Sequence, residues 1–405
     1  MKNEKGIILI IAMIIISSCN IYAMKPKHNT IKHTNVTQSA NKSMEQILKL
    51  AKAYYFGNDS IYMNKQKAFE LFSKAAKQGN LEAQNFLGCC YSTGEGVAKD
   101  IEQAVYWFRK AAEQGFATAQ FNLGLCYQSG DGVEKDFNQA VYWFRKAAEQ
   151  GNAYAQCRLG GCYDFGDGVE KDFNQAVYWF RKAAEQGNAK GQCHLGVCYG
   201  SGDAGEKDFN QAVYWFQKSA EQGNDDAQYF LAQCYYFGYG VEKDFNQAVY
   251  WCQKSTEQGN ATAQYFLAQC YYLGNGVEKD LNQAIYWLRK AAEQEDTAAQ
   301  CLLGECYLSG DGVEKDFNQA AYWFRKAAEQ EDANAQYLLG VCYDSGNGVE
   351  ANDTQAFQWY FKAAEQGLLK AQKILIIKYE KGVGVKKDKK KAEYWKKKVA
   401  EQENK

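Results

Sequence analysis

The nine tryptophans of this 405-residue chain recur at a single spacing of 36 residues, and this spacing constrains the fold more than any other feature. They are Trp107, Trp143, Trp179, Trp215, Trp251, Trp287, Trp323, Trp359 and Trp395. A fixed period of about 20 to 50 residues is typical of repeat proteins, in which each unit buries its apolar face only by stacking on its neighbours. We therefore expect one elongated body rather than two or three globular domains.

One unit, residues 115–150, contains two helical patterns. The first covers about residues 117–129 and the second about residues 138–150, and Gly130-Asp131-Gly132-Val133 separates them. Glycine supplies the positive φ at which helices end, and Asp136 or Asn138 can cap the second helix. Two antiparallel helices per unit predict an all-α fold, an α-solenoid or superhelix of about ten 36-residue helix-turn-helix repeats. We expect each tryptophan ring to lie between helices of its own and the following repeat.

The unit resembles the Sel-1-like repeat, a relative of the tetratricopeptide repeat. The matching residues are Ala119, Leu123, Gly124, Tyr127, Gly130, Gly132, Val133, Asp136, Ala140, Trp143, Ala147, Ala148 and Gly151. A tetratricopeptide array is the alternative, but the 36-residue period and the G-x-G-V loop favour the Sel-1-like form. The resemblance implies an α-solenoid over residues 44–403, in a bacterial exported protein.

The N-terminus has the layout of a signal peptide, with a short charged start followed by an apolar run over residues 6–16. This run is shorter than the roughly 20 residues that a membrane-spanning helix needs. Ile16, Ser17, Ser18 and Cys19 resemble the bacterial lipoprotein signal, which implies a lipid on Cys19, whereas cleavage after Ala23 is the alternative. We predict a signal peptide over residues 1–19, alternatively 1–23, a flexible tether over residues 20–43, and export to the cell envelope or secretion.

Charge is distributed unevenly along the chain. Residues 1–43 carry six lysines and one acidic residue, and residues 368–405 carry thirteen lysines and five acidic residues. The 324 residues between these ends therefore have a net charge of −14. Because phosphate backbones require a basic surface, this acidic body argues against a nucleic-acid partner. We expect membrane attachment only through the N-terminal lipid.

The repeats can be compared with each other as copies of one unit. The second helix is nearly unchanged, whereas the first helix changes freely at the positions equivalent to 118, 121, 122, 125, 128 and 129. On a wheel of about 100° per residue these positions share one side, which we call the variable face. The first helix of each repeat is expected to line the concave groove of the solenoid, so the variable face predicts a groove that binds a peptide or another protein.

Aromatic residues with interspersed Arg, Gln and His are the composition that interface centres prefer. The candidate contact residues on the variable face are Tyr154, Arg158, Lys190, His194, Tyr229, Phe230, Tyr236, Phe237, Tyr265, Phe266 and Tyr272. Drift after recent duplication can also produce such variation. Some of the rings can instead fill gaps between repeats.

Fourteen cysteines in an exported chain raise the question of disulfides. Eight occupy one register on the constant side of the first helix: Cys90, Cys126, Cys162, Cys198, Cys234, Cys270, Cys306 and Cys342. Stacked helices lie about 8–10 Å apart, beyond the roughly 7 Å between Cα atoms that a disulfide tolerates. We therefore interpret this register as small buried hydrophobes, and Cys157, Cys193 and Cys301 as a more exposed register of candidate reactive thiols.

The sequence contains no pattern that predicts catalysis. It has no C-x-x-C, and only His194 falls inside the repeats, so no zinc site or cofactor is predicted. Of the serine β-lactamase motifs, only S-x-x-K occurs, at residues 39–42 in the predicted tether. We therefore predict a non-catalytic scaffold for protein–protein interaction. The alternatives are a structural spacer at the cell surface and a β-lactam- or peptidoglycan-related hydrolase.

Overall fold

The computed structural model of the protein describes residues 35–58, 61–203 and 205–403. Residues 1–34, which include Cys19 and both predicted cleavage sites, lie outside the described residues. The chain divides into two compact units, Met1–Lys218 and Ser219–Lys405. In both, consecutive helices form the helix-turn-helix repeats of an α-solenoid, as the sequence predicts.

Ten pairs of helices follow one another in the described residues, and we number the pairs as repeats 1 to 10. The first helices are Asn35–Phe56, Leu81–Thr93, Ala117–Ser129, Ala153–Phe165, Ala189–Ser201, Asp225–Phe237, Ala261–Leu273, Thr297–Ser309, Ala333–Ser345 and Leu369–Lys381. The second helices are Lys65–Lys77, Ile101–Ala112, Phe137–Glu149, Phe173–Glu185, Phe209–Glu221, Phe245–Glu257, Leu281–Glu293, Phe317–Glu329, Asp353–Glu365 and Lys389–Glu403. The first helix of repeat 1 begins at Asn35, inside the segment predicted as a tether.

Most helices begin at a side-chain cap, and each regular first helix ends at a glycine. Asp136, rather than Asn138, caps a second helix: its Oδ1 accepts hydrogen bonds from the backbone N–H groups of Asn138 and Gln139, at 2.8 and 3.1 Å. Gly130 ends the preceding first helix in the left-handed conformation, with φ 84°. In repeats 7 and 8, Glu295 and Glu331 replace the glycine after the second helix, yet keep φ at 69° and 67°. These two turns therefore keep the left-handed conformation without a glycine.

The loop of repeat 5 departs further from the others, since Ala204-Gly205 stands where the regular loops have Gly-Val. Gly205 has φ 126°, and its N–H donates to the carbonyl of Gly202 at 3.0 Å. In the regular loop of repeat 4, Gly168 has φ 68°, and a Cβ there would lie 2.2 Å from the carbonyl oxygen of Phe137. The second glycine of a regular loop therefore allows contact with the preceding repeat, in addition to its positive φ.

Each core is shared by the two helices of one repeat and the first helix of the next. Val105 and Phe108 of repeat 2, for example, pack with Leu123 of repeat 3. Trp143 packs on this same cluster, so its ring contacts its own and the preceding repeat, and the expectation of the following repeat is wrong. Phe144, about 100° further round the helix, packs against Phe121 of its own repeat and belongs to the core that this repeat shares with the following one.

Buried glutamines link three helices in succession. Gln156 on the first helix of repeat 4 donates from Nε2 to the carbonyl of Ala148 in repeat 3, at 3.1 Å. Its Oε1 accepts from Nε2 of Gln186, the residue that caps the C-terminus of the second helix of repeat 4, at 2.7 Å. Equivalent amide pairs join Gln120 to Gln150, Gln228 to Gln258, Gln264 to Gln294, Gln300 to Gln330 and Gln336 to Gln366.

Of the thirteen cysteines in the described residues, all but Cys301 are buried. The register at Cys126 thus has the predicted role of small buried hydrophobes. The interpretation of Cys157 and Cys193 as exposed thiols is wrong, since they are only 8% and 6% exposed. Burial raises the pKa of the Cys157 thiol to about 11, which disfavours the reactive thiolate.

Candidate protein-binding face

The variable face differs in exposure from repeat to repeat. In repeat 3 its members Phe121, Asn122 and Leu125 are buried, and Asn122 donates to Oδ1 of Asn85 in repeat 2 at 2.9 Å. In repeats 4 to 7 most members are half-buried or exposed. The predicted contact residues all lie on the first helices of these four repeats. The first helices of repeats 4 and 5 belong to the N-terminal compact unit, and those of repeats 6 and 7 belong to the C-terminal unit.

In the N-terminal unit the candidates form a cationic group. Tyr154 is half-buried with its ring 6.1 Å from that of Phe121, and His194 stacks on Phe180 at 4.7 Å. Burial lowers the pKa of His194 to about 4, and the positive charges of Lys190 and Arg158 act in the same direction. The structure thus brings Arg158, Lys190 and His194 of repeats 4 and 5 close together. In the described residues, Arg158 and Lys190 have no ion-pair partner among the acidic side chains.

In the C-terminal unit two tyrosines of the variable face repeat the same contact. The hydroxyl oxygen of Tyr229 accepts a hydrogen bond from Nε2 of Gln233 at 2.7 Å, and Tyr265 accepts one from Gln269 at 2.9 Å. Each glutamine lies one helical turn after its tyrosine, so the pair fixes the ring on the helix surface. Both rings are half-buried, and burial raises the pKa of both hydroxyls. Phe230 lies beside Tyr229, with ring centroids 5.5 Å apart.

A second aromatic group occupies the ends of the first helices of repeats 6 and 7. Phe237 is 50% exposed and stacks on Tyr239 at 5.5 Å. Tyr236 is half-buried and accepts a hydrogen bond from Nδ2 of Asn275 at 2.7 Å. Phe266 differs from the expectation, because it is only 6% exposed and belongs to the core.

Phe266 supports the surface rings from below. Its ring packs edge-on to Tyr236 at 5.0 Å and to Tyr229 at 6.0 Å. Tyr272 lies beside Asp311, whose negative charge raises the pKa of the tyrosine hydroxyl. Of the eleven candidates, Phe266 alone is buried, whereas the other ten are half-buried or exposed.

Acidic side chains near these rings are functional candidates that the sequence analysis missed. Glu305 on the first helix of repeat 8 has the register of Gln233 and Gln269, and Asp296 and Asp332 cap the first helices of repeats 8 and 9. Comparing each register across successive repeats, and not only searching for aromatic residues, would have identified Glu305.

The described part of the chain contains no group of three or more His, Cys, Asp or Glu side chains that could hold a metal ion. Among the described helices, none has the length and apolar character needed to cross a bilayer.

The sequence matches the Sel1 repeat family over residues 47–80, 81–116, 117–152, 153–188, 189–224, 225–260, 261–296, 297–332, 333–368 and 379–404. One similar solved structure is c5321, described as a protective antigen present in uropathogenic Escherichia coli strains displaying an SLR fold. It is 39% identical with a TM-score of 0.66, and the match covers 91% of this chain and 80% of that chain. A Sel1 repeat protein from Oxalobacter formigenes is 32% identical with a TM-score of 0.57, covering 88% of this chain and 98% of that chain. No curated protein matches the sequence. Ten matches spread along the helix pairs and two structurally similar Sel1 proteins lead to one conclusion: this chain belongs to the Sel1 repeat family.

Proposed function

We propose that the protein is a non-catalytic scaffold that binds a protein or peptide partner on its variable face. Sel1 repeat solenoids are generally protein-interaction scaffolds. The observation that carries the proposal for this chain is the pair of equivalent tyrosines, Tyr229 and Tyr265, each half-buried and held by a glutamine one turn away. The side of the first helices that they occupy is the one that we expect to line the concave groove.

The physical basis of this proposal is preorganisation. Immobilising a flexible side chain at an interface costs about 0.5–1.5 kcal/mol, and a ring already held by a hydrogen bond has lost part of that freedom before the partner arrives. Tyrosine also combines a large apolar area with a polar tip, which is why it is enriched among binding hot spots. Phe230, Tyr236, Phe237 and Tyr272 extend this aromatic surface along repeats 6 and 7.

The N-terminal unit would contribute a different contact. Arg158 and Lys190 make no ion pair with acidic side chains of the described residues, so both remain able to pair with carboxylates of a partner. His194 adds no charge at pH 7, since its depressed pKa keeps it neutral. We propose that acidic groups of the partner bind here, whereas the aromatic anchors lie in the C-terminal unit.

The test is a double substitution, Tyr229→Ala with Tyr265→Ala, in the full chain. A partner would first be identified by pull-down from envelope or host extract, and its affinity for the variant then measured with the purified proteins. Truncating two hot-spot residues is expected to weaken binding by about 2–4 kcal/mol in total, or roughly 30- to 1000-fold. The melting temperature is expected to change little.

A matched control exists on the second helices of the same repeats. Tyr250 and Tyr286 are 48% and 49% exposed and lie outside the variable face. The Tyr250→Ala, Tyr286→Ala variant should bind the partner as well as the wild type does. Equal loss of affinity in both variants, or a loss of stability confined to the first, would contradict the proposed face. Failure to recover any specific partner would favour the structural spacer.

We further propose that the protein is exported and that Cys19 carries the lipid that attaches it to a membrane. This proposal rests on the sequence pattern of residues 1–19, which lie outside the described residues.

A further inference from the structure

Arginines on the second helices bond to a tyrosine on the first helix of the following repeat. The guanidinium Nη2 of Arg109 donates to the hydroxyl oxygen of Tyr127 at 3.0 Å. The equivalent bonds, at 2.8, 3.2, 2.8 and 2.9 Å, join Arg145 to Tyr163, Arg181 to Tyr199, Arg289 to Tyr307 and Arg325 to Tyr343. We call each an Arg–Tyr pair. The tyrosine belongs to the constant side of the first helix, so these pairs are separate from the variable face.

Each Arg–Tyr pair keeps hydrogen-bond donors that the chain does not use. Within the described residues, Arg109 has no ion pair, and its guanidinium makes no further hydrogen bond. A guanidinium has five N–H donors, so most of them remain available. The hydroxyl oxygen of Tyr127 accepts from the arginine, and its own proton has no acceptor among the side chains that the structure describes. N–H and O–H donors therefore lie side by side, and a carboxylate has the two acceptor oxygens that match them.

Two of the Arg–Tyr pairs line cavities at equivalent places in the two compact units. Arg109 and Tyr127 line a cavity of about 940 Å³ together with Lys135 of the loop that follows. A cavity of about 660 Å³ in the C-terminal unit has the equivalent lining, namely Arg289, Tyr307 and Lys315. The same registers thus form the same kind of cavity from different repeats, so the cavity is a property of the repeat and not of one unusual loop.

Two acidic side chains also line the larger cavity, but neither is paired with the arginine. Asp136 uses Oδ1 to cap its helix, accepting from the N–H groups of Asn138 and Gln139. Glu134 is exposed and makes no ion pair with Arg109 or Lys135. Because the cationic and acidic side chains of the lining are equal in number, a ligand carboxylate would be held by local contact with the Arg–Tyr pair and not by an excess of positive charge.

We infer that the Arg–Tyr pairs bind carboxylate side chains of an acidic segment of a partner protein. The guanidinium would donate parallel N–H bonds to the carboxylate, and the tyrosine O–H would add a third donor. Repeats 2 to 5 carry three successive pairs within the N-terminal unit, so one segment can place several carboxylates along them. This is a second binding surface, which goes beyond the proposed variable face and does not depend on it.

The chain itself contains a neutral form of the Arg–Tyr pair. Gln217 and Gln253 occupy the arginine register, and the tyrosines that follow them are Tyr235 and Tyr271. Both glutamines lie in second helices of regular length. Arginine to glutamine is therefore a replacement that the fold already accommodates, and it removes the charge without removing the helix.

The experiment measures the fluorescence anisotropy of labelled peptides titrated with the full chain. One is a glycine–serine peptide of about 11 residues with three glutamates, long enough when extended to reach three repeats stacked about 10 Å apart, and the other has glutamines in their place. The glutamate peptide should bind more tightly. The triple variant Arg109→Gln, Arg145→Gln, Arg181→Gln should weaken its binding by about tenfold, because each partly exposed ion pair contributes roughly a factor of two to three. Tyr127→Phe, Tyr163→Phe, Tyr199→Phe, which keeps the rings, should also weaken it.

A matched control removes the same charge one position further along each helix. Lys110, Lys146 and Lys182 are exposed, and Lys110 is not part of the cavity lining at Arg109. Their triple replacement by glutamine should leave the affinity for the glutamate peptide nearly unchanged. Urea denaturation of both triple variants checks that they remain as stable as the wild type.

Three results would overturn the inference. The glutamate peptide could bind no better than the glutamine peptide, the arginine and lysine variants could weaken binding equally, or the glutamate peptide could be lost on Arg158→Gln with Lys190→Gln but not on the arginine variant. The variable face is tested apart from this by the natural partner. If that partner is lost on Tyr229→Ala with Tyr265→Ala while the arginine variant still binds the glutamate peptide normally, the scaffold is supported and the carboxylate surface is rejected. The reverse pattern would support the carboxylate surface and reject the variable face.

Discussion

At the scale of single residues, the surroundings of His194 change its pKa. Its ring stacks on Phe180, and the cations that face it are Lys190 on its own helix and Arg158 on the first helix of repeat 4. Burial and these two charges hold its pKa near 4, against 6.5 for the free side chain. Protonation of His194 is therefore coupled to unfolding, because the unfolded chain binds a proton that the folded chain excludes.

The sign of the effect follows from this difference. Between about pH 6.5 and pH 4 the unfolded state is protonated at this residue and the folded state is not, so stability decreases as pH falls through this window. The loss is at most about 3 kcal/mol for a shift of this size. We expect the unfolding free energy of wild type, measured by urea denaturation at about pH 7 and about pH 4.5, to fall more than that of His194→Gln. Parallel pH dependence in the two proteins would show that His194 titrates normally.

At the scale of secondary-structure elements, the glutamine links determine how firmly three helices are joined. Gln156 bonds both the carbonyl of Ala148 and the amide of Gln186. Gln84, its equivalent in repeat 2, donates to the carbonyl of Ala76 at 3.2 Å, but its buried Oε1 has no hydrogen-bond partner among the residues described. The two residues are both buried and occupy the same register, but Gln156 makes two of these hydrogen bonds and Gln84 makes one.

This difference predicts that replacing each glutamine by leucine lowers the stability of its repeats by a different amount. Gln156→Leu removes two hydrogen bonds and should destabilise its repeats by about 1–3 kcal/mol. Gln84→Leu removes one bond and also an unsatisfied buried acceptor, so its cost should be below about 1 kcal/mol. Because stability in a repeat array is local, the measurement is amide hydrogen exchange in the second helix that each glutamine contacts, Phe137–Glu149 or Lys65–Lys77. If both substitutions lowered the protection against hydrogen exchange equally, the hydrogen bond from Gln186 to Gln156 would contribute nothing to stability.

For the whole molecule, the proposal with the largest consequence is that a lipid on Cys19 attaches the protein to a membrane. If Cys19 is lipidated, Cys19→Ala should move the protein from the membrane fraction to the soluble fraction, and the mass of the parent should include the lipid. One acyl chain gives only marginal attachment, so stable membrane binding requires more than one. A parent that is soluble, with its mature mass starting at Met24 after cleavage behind Ala23, would support the alternative. The fold itself should be unaffected, because the repeats begin after this segment.

The sequence by itself determined the repeat, the helix pairs and their caps. These features depend on contacts between residues close in the chain, such as Asp136 with the amides of Asn138 and Gln139. Because every repeat obeys the same local rules, the periodicity also predicted the buried cysteine register at Cys126 and its equivalents. The variable face is likewise identified by register alone, since it requires only that equivalent positions of successive repeats be compared.

Only the tertiary structure decided which residues of that face are accessible. Phe121 and Tyr265 have the same register, yet the first is buried and the second is half-exposed. The sequence predicts Phe266 as a contact residue, but it lies beneath Tyr229 and Tyr236. The physical reason is that exposure depends on the side chains that neighbouring repeats contribute, dozens of residues away in sequence.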